Sequence, residues 1–173
     1  MDWKNRSAYV FIKTHKGRAD DVWKRFHDWD NVIGTWIVAG DWDVIVWFDA
    51  QDLESVHNCV KTIKDWNEVD HTSSHMVYNG FKKDGWWWEK PAGTWVLLRE
   101  GKLDEAPERI KKWDWATSGA SIPGDWDCIA WIQGENWNEV WDHLIEFTRE
   151  GWETKTNVPV KSWWNQDWKN KWW

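Results

Sequence analysis

Two tetrapeptides carry the acidic groups best placed for chemistry, Gly40-Asp41-Trp42-Asp43 and Gly124-Asp125-Trp126-Asp127. A Gly-Asp pair between two apolar runs reads as a tight hairpin turn, where glycine supplies φ > 0 and the carboxylate supplies an acceptor. The second carboxylate of each motif, Asp43 or Asp127, has two readings. It bonds the backbone of its own turn, or it receives an amino group from a ligand through a charge-assisted hydrogen bond. Repetition does not separate the two, because an indispensable turn would also be kept in both copies.

The other reactive side chains form no constellation. The histidines are His15, His27, His57, His71, His75 and His143. His71 and His75 would share a strand face, but four strand residues span roughly 13 Å, too far for one metal ion. They read as surface or interface residues. Acids beside histidine (His27-Asp28, Asp70-His71, Asp142-His143) are sequence neighbours, and such neighbours usually point apart. There is no CxxC, HExxH, EF-hand, P-loop or GxSxG spacing. Cys59 in a helix and Cys128 in a strand read as buried thiols. No catalytic residue, no metal site and no cofactor is assigned, and the reading leans away from an enzyme.

Composition narrows the classes further. The chain has 173 residues, with 22 basic and 29 acidic side chains and a net charge of −7. A nucleic-acid groove needs clustered Lys and Arg, so direct DNA binding is not expected. No apolar run approaches the ~18 residues of a membrane helix, and MDWKNRSAYV lacks the apolar stretch of a signal peptide. Two cysteines make no disulfide framework, so a cytoplasmic setting is expected.

The 23 tryptophans are the anomaly. Trp42, Trp47, Trp126 and Trp131 alternate with other strand positions and read as filling a sheet-to-sheet interface. An aromatic cage for a cation and a flat platform for a planar ligand are the alternatives. Trp86, Trp87 and Trp88 are consecutive and cannot all face one core. Together with Trp163, Trp164, Trp168, Trp172 and Trp173 they read as interaction surface, with contact to a sister chain favoured over membrane. A homo-oligomer follows.

What positions these groups is a duplication. VAGDWDVIVWFDAQD (38–52) returns as IPGDWDCIAWIQGEN (122–136), 84 residues on. The same offset pairs Gly17 with Gly101, Trp29-Asp30 with Trp113-Asp114, and Thr72 with Thr156. In each copy a β-rich run (8–14, 93–99) leads through a glycine to a helix, which in the first copy carries Ala19, Val22, Trp23 and Phe26 on one stripe. A hairpin follows, 32–38 with 42–48 and 116–122 with 126–132. A second helix carries Leu53, Val56, Val60 and Ile63, matched by Trp137, Val140, Trp141, Leu144 and Phe147. A last strand closes each unit, 69–78 and 152–160.

The order is β-α-β-β-α-β twice, the ferredoxin-like arrangement in an α+β fold. The strands are apolar on both faces, so the two sheets are expected to pack face to face as a pseudo-dimeric α/β barrel. The predicted organisation is repeat 1 (1–84), a Trp-rich linker (85–91), repeat 2 (92–160) and a Trp-rich docking arm (161–173).

Each repeat resembles the ligand-binding (effector) domain of the Lrp/AsnC family of feast/famine regulators. The likeness rests on the ordered strand, Gly, helix, hairpin motif with Trp where Tyr is usual, second helix, and a Thr-bearing strand with Val69, Thr72 and Ser74. The resemblance covers about 8–78 and 92–160. Six residues precede the first strand, which leaves no room for that family's helix-turn-helix. The same α/β-barrel superfamily contains heme enzymes and small monooxygenases, so fold alone fixes no activity. The resemblance implies a small ligand, often an amino acid, near the hairpin turn and last strand. Carried over, that points to Gly40, Asp41, Asp43, Thr72 and Ser74, and to Gly124, Asp125, Asp127 and Thr156. A ligand-free structural subunit and a cofactor-dependent enzyme stay open as alternatives.

Overall fold

The computed structural model describes residues 6–84, 90–101 and 105–168. They divide into two compact units. One is built from the chain up to Met76 together with the chain from Pro159 onward, the other from Val77–Val158.

The first unit contains β1 (Ser7–Thr14), α1 (Ala19–Arg25) with a 3-10 turn at Phe26–Asp28, β2 (Val32–Ala39), β3 (Val44–Asp49), α2 (Leu53–Lys64) and β4 (Val69–Met76). The strands run antiparallel in the order β4-β1-β3-β2. Val10, Ile12, Val44, Val46 and Phe48 form one side of the sheet and bury against Val22, Phe26 and Ile63 from the helices. The period-two alternation then sends Tyr9, Phe11, Ile45 and Trp47 to the other side, where all four are also buried.

The second unit contains β5 (Gly80–Lys82), β6 (Ala92–Arg99), α3 (Ala106–Lys111), β7 (Ala116–Ser121), β8 (Cys128–Gly134), α4 (Trp137–Arg149) and the start of β9 (Glu153–Trp164). The order β9-β6-β8-β7 repeats that of the first unit, with β5 added beyond β7. The fold is α+β and ferredoxin-like in each unit, as the repeat predicts. β5 was not expected, since three residues are too few to show a strand period. The helices start alike. Asp52 accepts from the Ser55 amide at 2.7 Å and Asn136 from the Glu139 amide at 3.1 Å, while Glu139 reaches back to the Glu135 amide as a capping box does.

Three details differ from the sequence reading. The 84-residue offset holds for hairpins and helices but not for the flanking strands. Ile12 sits opposite Thr72 as Leu98 sits opposite Thr154, so the first strands match at 86 and the last at 82. Thr154, not Thr156, is therefore the counterpart of Thr72. Of the two hairpin glycines only Gly124 takes positive φ, at 151°. The last strand also continues through Lys161–Trp164, inside the stretch expected to be an arm without strand period.

That C-terminal stretch is anchored within the first unit. Trp164 packs edge-on against Trp36 at 5.1 Å and Trp47 at 6.3 Å. The Trp163 ring stacks on His27, the Trp168 indole N–H donates to the Asp30 carbonyl, and Lys161 pairs with Asp20. Lys161 and Lys24 together hold the Asp20 carboxyl down at about 2. The indoles of Trp163 and Trp164, expected at an interface, are thus packed on their own unit. Trp86, Trp87, Trp88, Trp172 and Trp173 lie outside the described residues.

Gly93 tests the packing of the second unit. A Cβ built there would stand 2.3 Å from Trp131 Cζ2, and the Trp131 side chain is buried. Gly93→Ala is expected to lower stability by about 1–3 kcal/mol, the usual range for overpacking. Chemical denaturation measures it, and an unchanged midpoint would show that the indole moves aside freely.

Candidate functional site

The two hairpin motifs put their second aspartates to the same use. Asp43 Oδ2 accepts from the Thr14 amide at 2.9 Å and from Thr14 Oγ1 at 3.2 Å, while Lys13 Nζ donates to Oδ1 at 3.1 Å. Asp127 Oδ2 accepts from the amides of Glu100 at 2.7 Å and Gly101 at 2.6 Å. With the first strands matched at 86, Thr14 and Glu100 are equivalent. Each carboxylate pins an amide at the end of the first strand, and the backbone repeats the pattern: the Asp43 N–H donates to the Ile12 carbonyl and the Asp127 N–H to that of Leu98. The carboxylates do bond backbone amides, but those at the end of the first strand rather than those of their own turn.

The surroundings of the two turns differ. In the second unit Arg99 lies over the Trp126 ring at 5.0 Å, binds Glu153 and donates to the Asp125 carbonyl at 3.2 Å. Glu153 keeps the Arg99 guanidinium above its ordinary value. In the first unit the equivalent of Arg99 is Lys13, and beside it opens a cleft of about 390 Å³. Its lining is Lys13, Thr14, His15, Lys16, Gly17, Ala19 and Asp43. His15, Lys16 and Gly17 are exposed, and Gly17 turns the chain at φ 78°, which glycine adopts without strain.

Of the other residues singled out, Gly40, Asp41, Gly124 and Asp125 are exposed on the turns. Thr72 and Ser74 pair with Ile12 and Val10 and so lie on the helix side of the sheet; Thr156 pairs with Val96 on the helix side of the second unit. None of the three joins the cleft at Asp43. Trp42 does not enter it either; its ring stacks on Phe11 at 5.7 Å and meets His71 at 5.4 Å.

His71 and His75, which the sequence reads as surface or interface residues, share the opposite strand face with Ser73 between them. His71, Ser73 and His75 pair with Lys13, Phe11 and Tyr9 on the side away from the helices. His75 is 5% exposed, its Nε2 is 2.8 Å from Ser73 Oγ, and its ring is 5.3 Å from Phe11. The polar tetrapeptide His71-Thr72-Ser73-Ser74 gives no apolar signal, and on this face His71 is exposed, Ser73 half-buried and His75 alone buried. Trp47 stacks flat on Tyr9 at 5.7 Å, extending the aromatic surface.

Two further features are specific to one unit. Trp115 is sandwiched between Trp113 at 4.9 Å and His143 at 4.3 Å, both nearly parallel to it. Burial pushes the His143 imidazole below its ordinary value, opposed by Glu139, Asp142 and Glu146. Burial likewise pushes the Cys128 thiol up. Among the described residues no three His, Cys, Asp or Glu side chains converge as a metal ion would need, and no helix is long and apolar enough to cross a membrane.

Comparison with known proteins is consistent with this architecture. Residues 7–87 match the family described as the Lrp/AsnC ligand binding domain. No curated protein sequence matches the chain. Among solved structures the chain is similar to the siroheme decarboxylase NirDL, with a TM-score of 0.70 at 8% identity, covering 90% of this chain and 71% of that one. The same protein in co-complex with an iron-uroporphyrin III analogue gives 0.67 at 9% identity, with the same coverage. An anthrone oxidase-like protein gives 0.51 at 10% identity, covering 91% and 92%. At these identities the likeness is one of fold alone, α+β with antiparallel sheet and helices.

Proposed function

We propose that this chain, whose residues 7–87 match the Lrp/AsnC ligand binding domain, is a non-catalytic module that binds a small amino acid in the cleft beside Asp43 and works as a homo-oligomer through Trp-rich surfaces. The observation that carries the reading is the cleft itself, which opens at the hairpin turn to which the family likeness points. Its chemistry suits a zwitterion. Asp43 Oδ1 takes one bond, from Lys13, and a carboxylate oxygen accepts two, so an ammonium group can share it. Lys16 and His15 at the mouth offer donors to a carboxylate.

Calorimetric titration with free amino acids, and with the matching simple amines and carboxylic acids, tests this. Amino acids are expected to bind and either half alone to bind more weakly. Lys16→Glu should weaken binding by at least roughly tenfold, the worth of one charge-assisted bond of about 1.4 kcal/mol, at an unchanged melting temperature. Absence of heat with every amino acid overturns the reading.

A second reading is favoured by the buried His75 beside Phe11, on the same fold as a siroheme decarboxylase. It makes the chain an enzyme acting on a tetrapyrrole. An absorbance shift on adding an iron-uroporphyrin III analogue, weakened by His71→Ala and His75→Gln, would support it over the first.

A further inference from the structure

Helix α4 has two apolar sides. Val140, Leu144 and Phe147 turn inward and are buried. Trp137, Trp141 and Ile145 remain 45%, 59% and 45% exposed. Spaced by four, they form one ridge, which at about 100° per residue lies roughly 90° around the helix from the buried side. The sequence pattern had placed Trp137 and Trp141 with the core set. Half of the large exposed hydrophobic residues among those described fall on this ridge. Nothing in the fold requires it, because the corresponding positions of α2 are Leu53, His57 and Lys61. A concentrated apolar ridge rich in Trp marks a protein contact.

We infer that the ridge is covered by α4 of a second copy of this chain, laid antiparallel about a twofold axis near Trp141. The inference rests on the reading of the chain as a homo-oligomer and names the surface that makes it one. Ridges of residues spaced by four interdigitate with their like at about −50°, and a twofold contact needs one self-complementary patch. Charge selects the antiparallel arrangement. Near the start of α4, Glu135, Glu139 and Asp142 outnumber Lys90. Near its end, Arg109, Lys112 and Arg149 are balanced by Glu100, Glu146 and Glu150. An antiparallel copy keeps the two acidic starts apart, whereas a parallel one sets them side by side.

The size of the ridge fixes the strength of the contact. Two half-exposed indoles and an isoleucine offer on the order of 300 Å² per copy, given 150–250 Å² for a whole aromatic side chain. A stable dimer buries about 800 Å² per partner. The contact is therefore weak and concentration-dependent.

Sedimentation velocity over a concentration series, on the whole chain, tests the inference. The wild type should pass from monomer to dimer, and Trp141→Glu should move that midpoint up by at least roughly tenfold. Leu53→Glu, a change at a still more exposed apolar position on α2, should leave it in place. Both variants should melt with the wild type, since neither side chain is buried. If Trp141→Glu associates as the wild type does, the assignment to α4 is overturned and the homo-oligomer reading stands. If the wild type is monomeric at every concentration, both fall, and the ridge belongs to a different protein partner.

Discussion

Phe147→Ala is expected to lower the stability of the second unit by about 3–5 kcal/mol, the range for truncating a fully buried aromatic ring. Phe147 is completely buried and meets Trp113 at 5.0 Å, Trp115 at 5.2 Å and Trp152 at 6.3 Å, each nearly edge to face. Three indoles lean on one ring, so its loss opens a cavity that none can fill without leaving the others. The stack of Trp115 on His143 should loosen as well. Burial holds the folded imidazole below its unfolded value, so the unfolded state takes up the proton first and stability falls as pH drops below about 6.5. In the variant His143 is rehydrated and that slope should flatten. Denaturation of both proteins above and below pH 6.5 reads the two effects together. A loss under about 1 kcal/mol with the slope intact would mean that the indoles repack.

The same contrast between units explains which parts of the molecule could be read in advance. The hairpins were legible because Gly-Asp-Trp-Asp is a strong local signal and occurs twice. Strand order followed from the βαββαβ order once each strand's apolar alternation was recognised. The two-residue shifts of the flanking strands were not legible. They arise where loops of different length join the same elements, and the aligned Gly17 and Gly101 pull a gap-free comparison onto the wrong pairing. Gly17 and Gly101 both turn the chain with φ near 80°, yet at different distances beyond their strands.

The site residues divide in the same way. Asp43 was found by type and position, and its partner Thr14 could not be, because a bond across 29 residues leaves no mark in a local pattern. His75 reads as a surface or interface residue because its neighbours are polar, yet on the side away from the helices it is buried. Trp137 and Trp141 fitted an apolar helix pattern, but i, i+4 spacing alone does not tell a buried stripe from its neighbour a quarter-turn away. Here Val140, Leu144 and Phe147 are the buried set.

Asp43→Ala and Asp43→Asn separate the structural duty of the motif from a role in holding a ligand. Alanine removes the acceptor of two Thr14 bonds and leaves the Lys13 cation beside a part-buried gap, with an expected loss of about 2–3 kcal/mol. Asparagine keeps an oxygen for the Thr14 amide but forfeits the charge and the Lys13 bond, since its NH2 cannot accept, so roughly half of that loss should return. Asp127 serves as the internal comparison, because it makes the equivalent bond to Glu100 where Arg99 covers the neighbouring Trp126. If the cleft takes an amino acid, Asp43→Asn should abolish its binding in calorimetry while the protein stays folded, and Asp127→Asn should leave binding intact. Equal and undiminished binding in both variants would confine the carboxylates to the turns. The ligand would then have to be sought elsewhere, beginning with the face that carries His71, Ser73 and His75.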